Sequence, residues 1–163
     1  MAYKQQRHRK RVLDSGEAGQ DEAVEEALCF GWIDSTGKNI DGGLFQRFSP
    51  RTKKGRWTEL NKERCQRLER IDLMTEKGRA VCPDLDAEFK IIPEIIAEFN
   101  SHPVAWTNFL KIPLLYQKVR IDNIQSFISR PELFRSRLIK LIEASEKGNM
   151  IGDWNDYGRL LDY

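Results

Sequence analysis

The chain has 163 residues, 40% of them apolar and 32% charged, so it can bury a core and is too apolar for a disordered polypeptide. Its 27 basic and 25 acidic side chains leave a formal charge of only +2, so the overall balance gives no support to a nucleic-acid or membrane-surface role. Any such role rests on local clustering.

Three cysteines (Cys29, Cys65 and Cys82) are an odd number at long spacings without a CxxC pair, and only two histidines accompany them. That argues against a zinc site and against a secreted disulfide scaffold, and it favours a reducing cytoplasm. The basic start, Lys4 to Arg11, lacks the apolar run of a secretory signal. No segment approaches the roughly 20 apolar residues of a membrane span. The expectation is a cytoplasmic protein without membrane insertion.

Residues 1–20 are polar and charged and read as a basic tail, leaving 21–163 as a single domain. Asp21 is the predicted N-cap of a helix through Phe30, with Val24, Ala27 and Leu28 as its apolar stripe and Gly31 as a left-handed stop. Trp32 and Ile33 then begin an extended segment, and Ser35–Asn39 and Asp41-Gly42-Gly43 read as turns. Leu44 to Ser49 alternates as a strand that ends at Pro50. Lys53-Lys54-Gly55 reads as a solvated turn before Arg56-Trp57. Three short strands are expected, near 32–34, 44–50 and 55–58.

Thr58 is placed to cap a helix with Leu60, Arg64 or Cys65, Leu68 and Ile71 on one face. A short helical turn follows over Thr75–Val81. Pro93, Pro103 and Pro113 each open a helix, and Ser129 with Pro131 caps and starts the last strong one, which Gly148 stops. The tail from Met150 to Tyr163 is too apolar to float freely, and Trp154 is expected in the core. The fold class is α+β, mostly helical, with a small antiparallel β-sheet near the N-terminal half packed against a bundle of helices.

Catalytic and metal signatures are weak. Nothing pairs Cys29 with His102, and Glu25-Glu26 and Asp84/Asp86 read as solvated charges. No EF-hand, HExxH or phosphate-loop pattern occurs, so no catalytic residue, metal or cofactor is assigned. The best candidate is the segment in which Arg47, Arg51, Lys53, Lys54 and Arg56 occur with no acid between them, flanked by Phe45, Phe48 and Trp57. Cations of this kind hold phosphate or carboxylate groups, and an exposed ring stacks on bases or guanidinium planes. The expectation is a ribbon with its rings turned inward and its cations outward as one electropositive face.

Glu22 to Asp34 with Trp32 and Asp34, then Arg47-Phe48-Ser49-Pro50-Arg51, Arg56-Trp57-Thr58-Glu59-Leu60-Asn61 and the ending around Trp154, resemble the YdeI/OmpD-associated family, also labelled bacteriocin-protection proteins. The resemblance runs from Asp21 to the C-terminus. At the start it departs, because Lys10 to Gln20 stands where members carry an apolar strand. The resemblance implies a link to bacteriocin or antimicrobial-peptide tolerance and no established catalytic set. Three functions are therefore in view. The first is a non-enzymatic cytoplasmic protein binding an unknown protein or anionic partner, the second a nucleic-acid-binding module using segment 45–57, and the third an unrecognised enzyme with a pocket near Cys29, Trp32 and Asp34.

Overall fold

A computed structural model of the chain describes residues 17–41, 43–52, 55–152 and 154–161, the side chains at 17–21 and 44 excepted. The expected tail over residues 1–16, like Gly42, Lys53, Lys54, Asp153 and the last two residues, lies outside these. Helix α1 covers Glu17–Cys29, four residues longer at its front than the Asp21 cap predicts. Glu17, Ala18 and Gln20 are competent helix formers, so the helix absorbs residues 17–20 rather than leaving them as tail. Gly31 ends this turn with φ +73°, and a Cβ there would stand 2.9 Å from the Lys77 carbonyl oxygen. Glycine is required on both counts.

Strands β1 (Trp32–Ile40) and β2 (Gly43–Pro50) form one antiparallel ribbon, with Trp32 opposite Pro50, Asp34 opposite Phe48 and Lys38 opposite Phe45. The turn expected over Ser35–Asn39 is instead a register shift between Asp34 and Gly37. A bulge takes up the extra chain, the Ser35 hydroxyl donates to the Arg47 carbonyl at 3.2 Å, and the reversal waits until Asp41 at φ 50°. The third strand expected at 55–58 does not form. The Gly55 amide donates to the Thr52 carbonyl, Arg56 reaches out to Asp122, and Thr58 becomes a helix cap.

Among the described residues, further helices follow in the order α2 (Glu59–Arg70), α3 (Glu76–Arg79), α4 (Pro93–Asn100), α5 (Pro103–Phe109), α6 (Leu114–Gln125) and α7 (Pro131–Glu146). Thr58 and Thr75 accept hydrogen bonds from the Asn61 and Gly78 amides, the N-cap arrangement their positions predict. Pro93, Pro103 and Pro131 stand in first turns, where a missing N–H costs nothing. Pro113 precedes α6 as its cap residue, and Arg130 rather than Ser129 holds the cap position of α7, without a side-chain bond.

The apolar interior has two centres. The front one comprises Val24, Leu28, Cys29, Cys65, Leu68 and Met74, with Phe48, Trp57, Cys82 and Leu85 packed against it. The back one gathers α4 to α7 around Phe99, Phe109, Tyr116, Ile121 and Leu141, and Trp154 meets the Tyr116 ring edge-on at 5.3 Å. Polar ties join the two. The Asp122 carboxylate accepts from Arg56 at 2.7 Å and from the Glu59 amide at 3.2 Å, while Leu60 packs on the back centre.

Candidate functional site

The described cations of the basic segment are not on one face. Arg47 lies on the exposed side of β2, and no carboxylate among the described residues pairs with it. Arg56 is half-exposed and neutralised by Asp122. Arg51 is buried, 7% exposed, which contradicts its expected outward position. The cause is local. The Arg51 amide bonds the Gly31 carbonyl and carries the ribbon ladder one step past Pro50, and its guanidinium lies 3.6 Å from the centroid of the Trp57 ring. Its Nη1 donates to the Arg56 carbonyl, while Nε and Nη2 are buried with no hydrogen-bond partner among the described residues. Lys53 and Lys54 lie outside the described residues.

The inward turn of the rings holds for Phe48 and Trp57, both of which pack on the front centre. Strand alternation then places Phe45 and Arg47 on the opposite face of β2, with Lys38 directly across from Phe45. Lys38 and Arg47 are exposed. This Lys38–Phe45–Arg47 group is a smaller cationic surface than the one expected, and Lys38 was hidden from sequence reasoning by the misplaced turn.

Among the remaining motif residues, Asp34 accepts from the Gln46 side chain at 3.4 Å, and Asn61 accepts from Arg64 at 3.0 Å inside the protein. Trp32 is half-buried, Pro50 is exposed at the ribbon's end, and Trp154 is 6% exposed. Glu25 is not a solvated charge. It is buried and paired with Arg67 at 3.2 Å and Arg159 at 3.5 Å. Sequence gives no sign of this, because the partners are 42 and 134 residues away.

The front centre holds the three cysteines. Burial, and then the nearby Glu25 charge, push the Cys29 thiol up from its ordinary value, the reverse of what a nucleophile requires. Its carbonyl is occupied by the Thr75 hydroxyl and amide. His102 belongs elsewhere, with Nδ1 3.0 Å from Glu146. A cavity of about 300 Å³ opens between residues 86–91 and the start of α6, lined by Phe89, Ile91, Leu114 and Lys118 among others, and Cys29, Trp32 and Asp34 do not line it. Hydrogen bonding to Cys82 and burial push Cys65 up, and the bond from Cys65, aided by Arg51, pushes Cys82 down despite burial and Glu69. Burial likewise lowers the Arg51 guanidinium, against the pull of Cys65, Asp34 and Cys82.

Among the described residues no group of three or more histidine, cysteine, aspartate or glutamate side chains is placed to hold a metal ion, and no helix is long and apolar enough to cross a membrane. Two family descriptions divide the chain. Residues 5–81 match "Domain of unknown function (DUF8412)", and residues 88–148 match "Bacteriocin-protection, YdeI or OmpD-Associated". No curated protein and no solved structure matches the chain. The block from Glu22 to Asn61, on which the sequence resemblance rests most heavily, falls in the first match, so the resemblance is narrowed to the helical half. The division follows the architecture, since the front centre lies mainly within one match and α4 to α7 within the other. Across residues 88–148 the chain is similar to the Bacteriocin-protection, YdeI or OmpD-Associated family.

Proposed function

We propose that this chain is a non-catalytic, cytoplasmic binding protein of the bacteriocin-protection, YdeI or OmpD-associated type. Its partner is a protein with an acidic surface, engaged through the outer face of the β1–β2 ribbon. The observation that carries this reading is the placement of Lys38, Phe45 and Arg47 on one face, opposite the core-facing Phe48, with Lys38 and Arg47 exposed. Two like charges beside a ring attract carboxylates and supply apolar contact area at the same place. The neighbouring Lys53 and Lys54 extend the positive charge along the sequence. Arg51 and Arg56 do not contribute directly, because one is buried and the other neutralised.

The test is a pull-down from cell extract, with and without nuclease, using the wild-type chain and a Lys38→Glu/Arg47→Glu variant. Nuclease-resistant capture of a protein, lost in the variant, is the expected result. Capture that nuclease abolishes transfers the surface to nucleic acid. A capture profile unchanged by the charge reversal overturns the ribbon as the working surface.

A further inference from the structure

The cavity of about 300 Å³ between residues 86–91 and the start of α6 draws no residue from the ribbon. Its walls are held in place from within the fold. On one side, the Gln66 side chain donates to the Leu85 carbonyl at 2.9 Å and the Ile92 amide donates to Gln125 Oε1 at 2.8 Å, which pins the intervening segment at both ends. On the other, Gln117 donates to the Ile112 carbonyl at 2.8 Å and braces the turn leading into α6. Such preorganisation lowers the ordering cost of binding.

The lining combines hydrocarbon with charges of both signs. Phe89 and Ile91, which pack on the back centre, and Leu114, which is 63% exposed, supply the apolar part. Asp86 and Glu88 stand on one wall and Lys118 on the other, and none of the three is in an ion pair among the described residues. A wholly apolar guest would take water from these charges and return nothing, and a guest of one sign would meet a like charge. A guest with an ammonium and a carboxylate at opposite ends of an apolar body answers both walls. The volume equals that of about ten waters, at the lower end for small-molecule sites, which suits two residues and no folded partner.

We propose that this cavity binds a short zwitterionic peptide of dipeptide size with apolar side chains. Asp86 and Glu88 receive its ammonium, Lys118 its carboxylate, and Phe89, Ile91 and Leu114 its side chains.

The test is an amide chemical-shift titration of the full, isotopically labelled chain with leucyl-phenylalanine. The expected shifts fall within residues 86–91 and 114–118. N-acetyl-leucyl-phenylalanine and leucyl-phenylalanine amide each lack one terminal charge and should bind about tenfold more weakly, the loss of one charge-assisted hydrogen bond. Lys118→Met keeps the aliphatic stem and should equalise the free and amidated peptides while the acetylated one stays weaker. Leu114→Ser, at an exposed position, should weaken all three. The three peptides on the wild-type chain decide the matter even where a variant fails to fold. Absence of shifts in this region at millimolar peptide, equal affinity for the three forms, or undiminished binding of the amide overturns the proposal.

Discussion

Arg64 and Asp156 meet in a two-point ion pair, Nε to Oδ2 at 2.5 Å and Nη2 to Oδ1 at 2.7 Å, with both side chains buried. The pair spans 92 residues and fastens the C-terminal segment to α2. Asp156 holds φ 51°, a conformation aspartate tolerates better than most side chains. Removing one partner leaves an uncompensated buried charge, so Asp156→Ala should cost about 3–5 kcal/mol, and the double variant with Arg64→Met should recover part of it. Urea denaturation of the four proteins of that cycle checks the coupling. Equal losses from Asp156→Ala with and without the Arg64→Met change would mean the pair carries none.

Gly78 is helical, so alanine there should raise helix propensity by about 1 kcal/mol. A Cβ, however, would overlap the Cys29 carbonyl oxygen and stand 3.0 Å from that of Leu28. Those are backbone atoms that cannot swing aside. Gly78→Ala is expected to destabilise by about 1–3 kcal/mol. Gly148→Ala, with φ +68° and open space around it, should lose only the left-handed backbone cost of about 1–2 kcal/mol. Thermal denaturation checks both, and a Gly78→Ala variant as stable as the wild type would remove the backbone clash as a constraint.

Asp122 and Arg56 should not be equivalent. Arg56 is half-exposed, and deleting an exposed ion-pair partner removes about 0–1 kcal/mol. Asp122 also accepts from the Glu59 amide, an otherwise unpaired donor in the first turn of α2. Asp122→Ala should therefore destabilise by about 1 kcal/mol more than Arg56→Ala, a cap's worth. Denaturation midpoints in the same buffer read the difference, and equal midpoints would remove Asp122 as a cap.

Cys29 keeps its proton longer in the folded chain than in the unfolded one, because burial and then Glu25 disfavour its thiolate. Its contribution to stability is complete below the ordinary thiol value of 9.0 and is lost as pH rises, since the unfolded chain sheds the proton first. Stability measured between about pH 8 and 10 should fall more steeply for the wild type than for Cys29→Ala. Parallel slopes would show that the thiol does not titrate differently on folding.

Local chemistry made much of this fold legible. Thr58, Thr75, Pro93, Pro103 and Pro131 mark helix starts, and Gly31 marks a stop, because each acts within a few residues of itself. Ser35–Asn39 misled because turn-forming residues also suit a bulge, and only the partner strand decides between them. The site was less legible for the same reason. Alternation faces Arg47 outward, but the fate of Arg51 depends on Trp57 and the Gly31 carbonyl, and that of Glu25 on Arg67 and Arg159. Juxtapositions across tens of residues leave no trace in spacing.

Ion pairs accompany the apolar contact of Leu60 where the front half meets the back: Arg56 with Asp122, and Arg64 with Asp156. A breathing motion that parts these groups would wet carboxylates and guanidiniums, which water receives well. After each such excursion the same charges draw the two halves back into register.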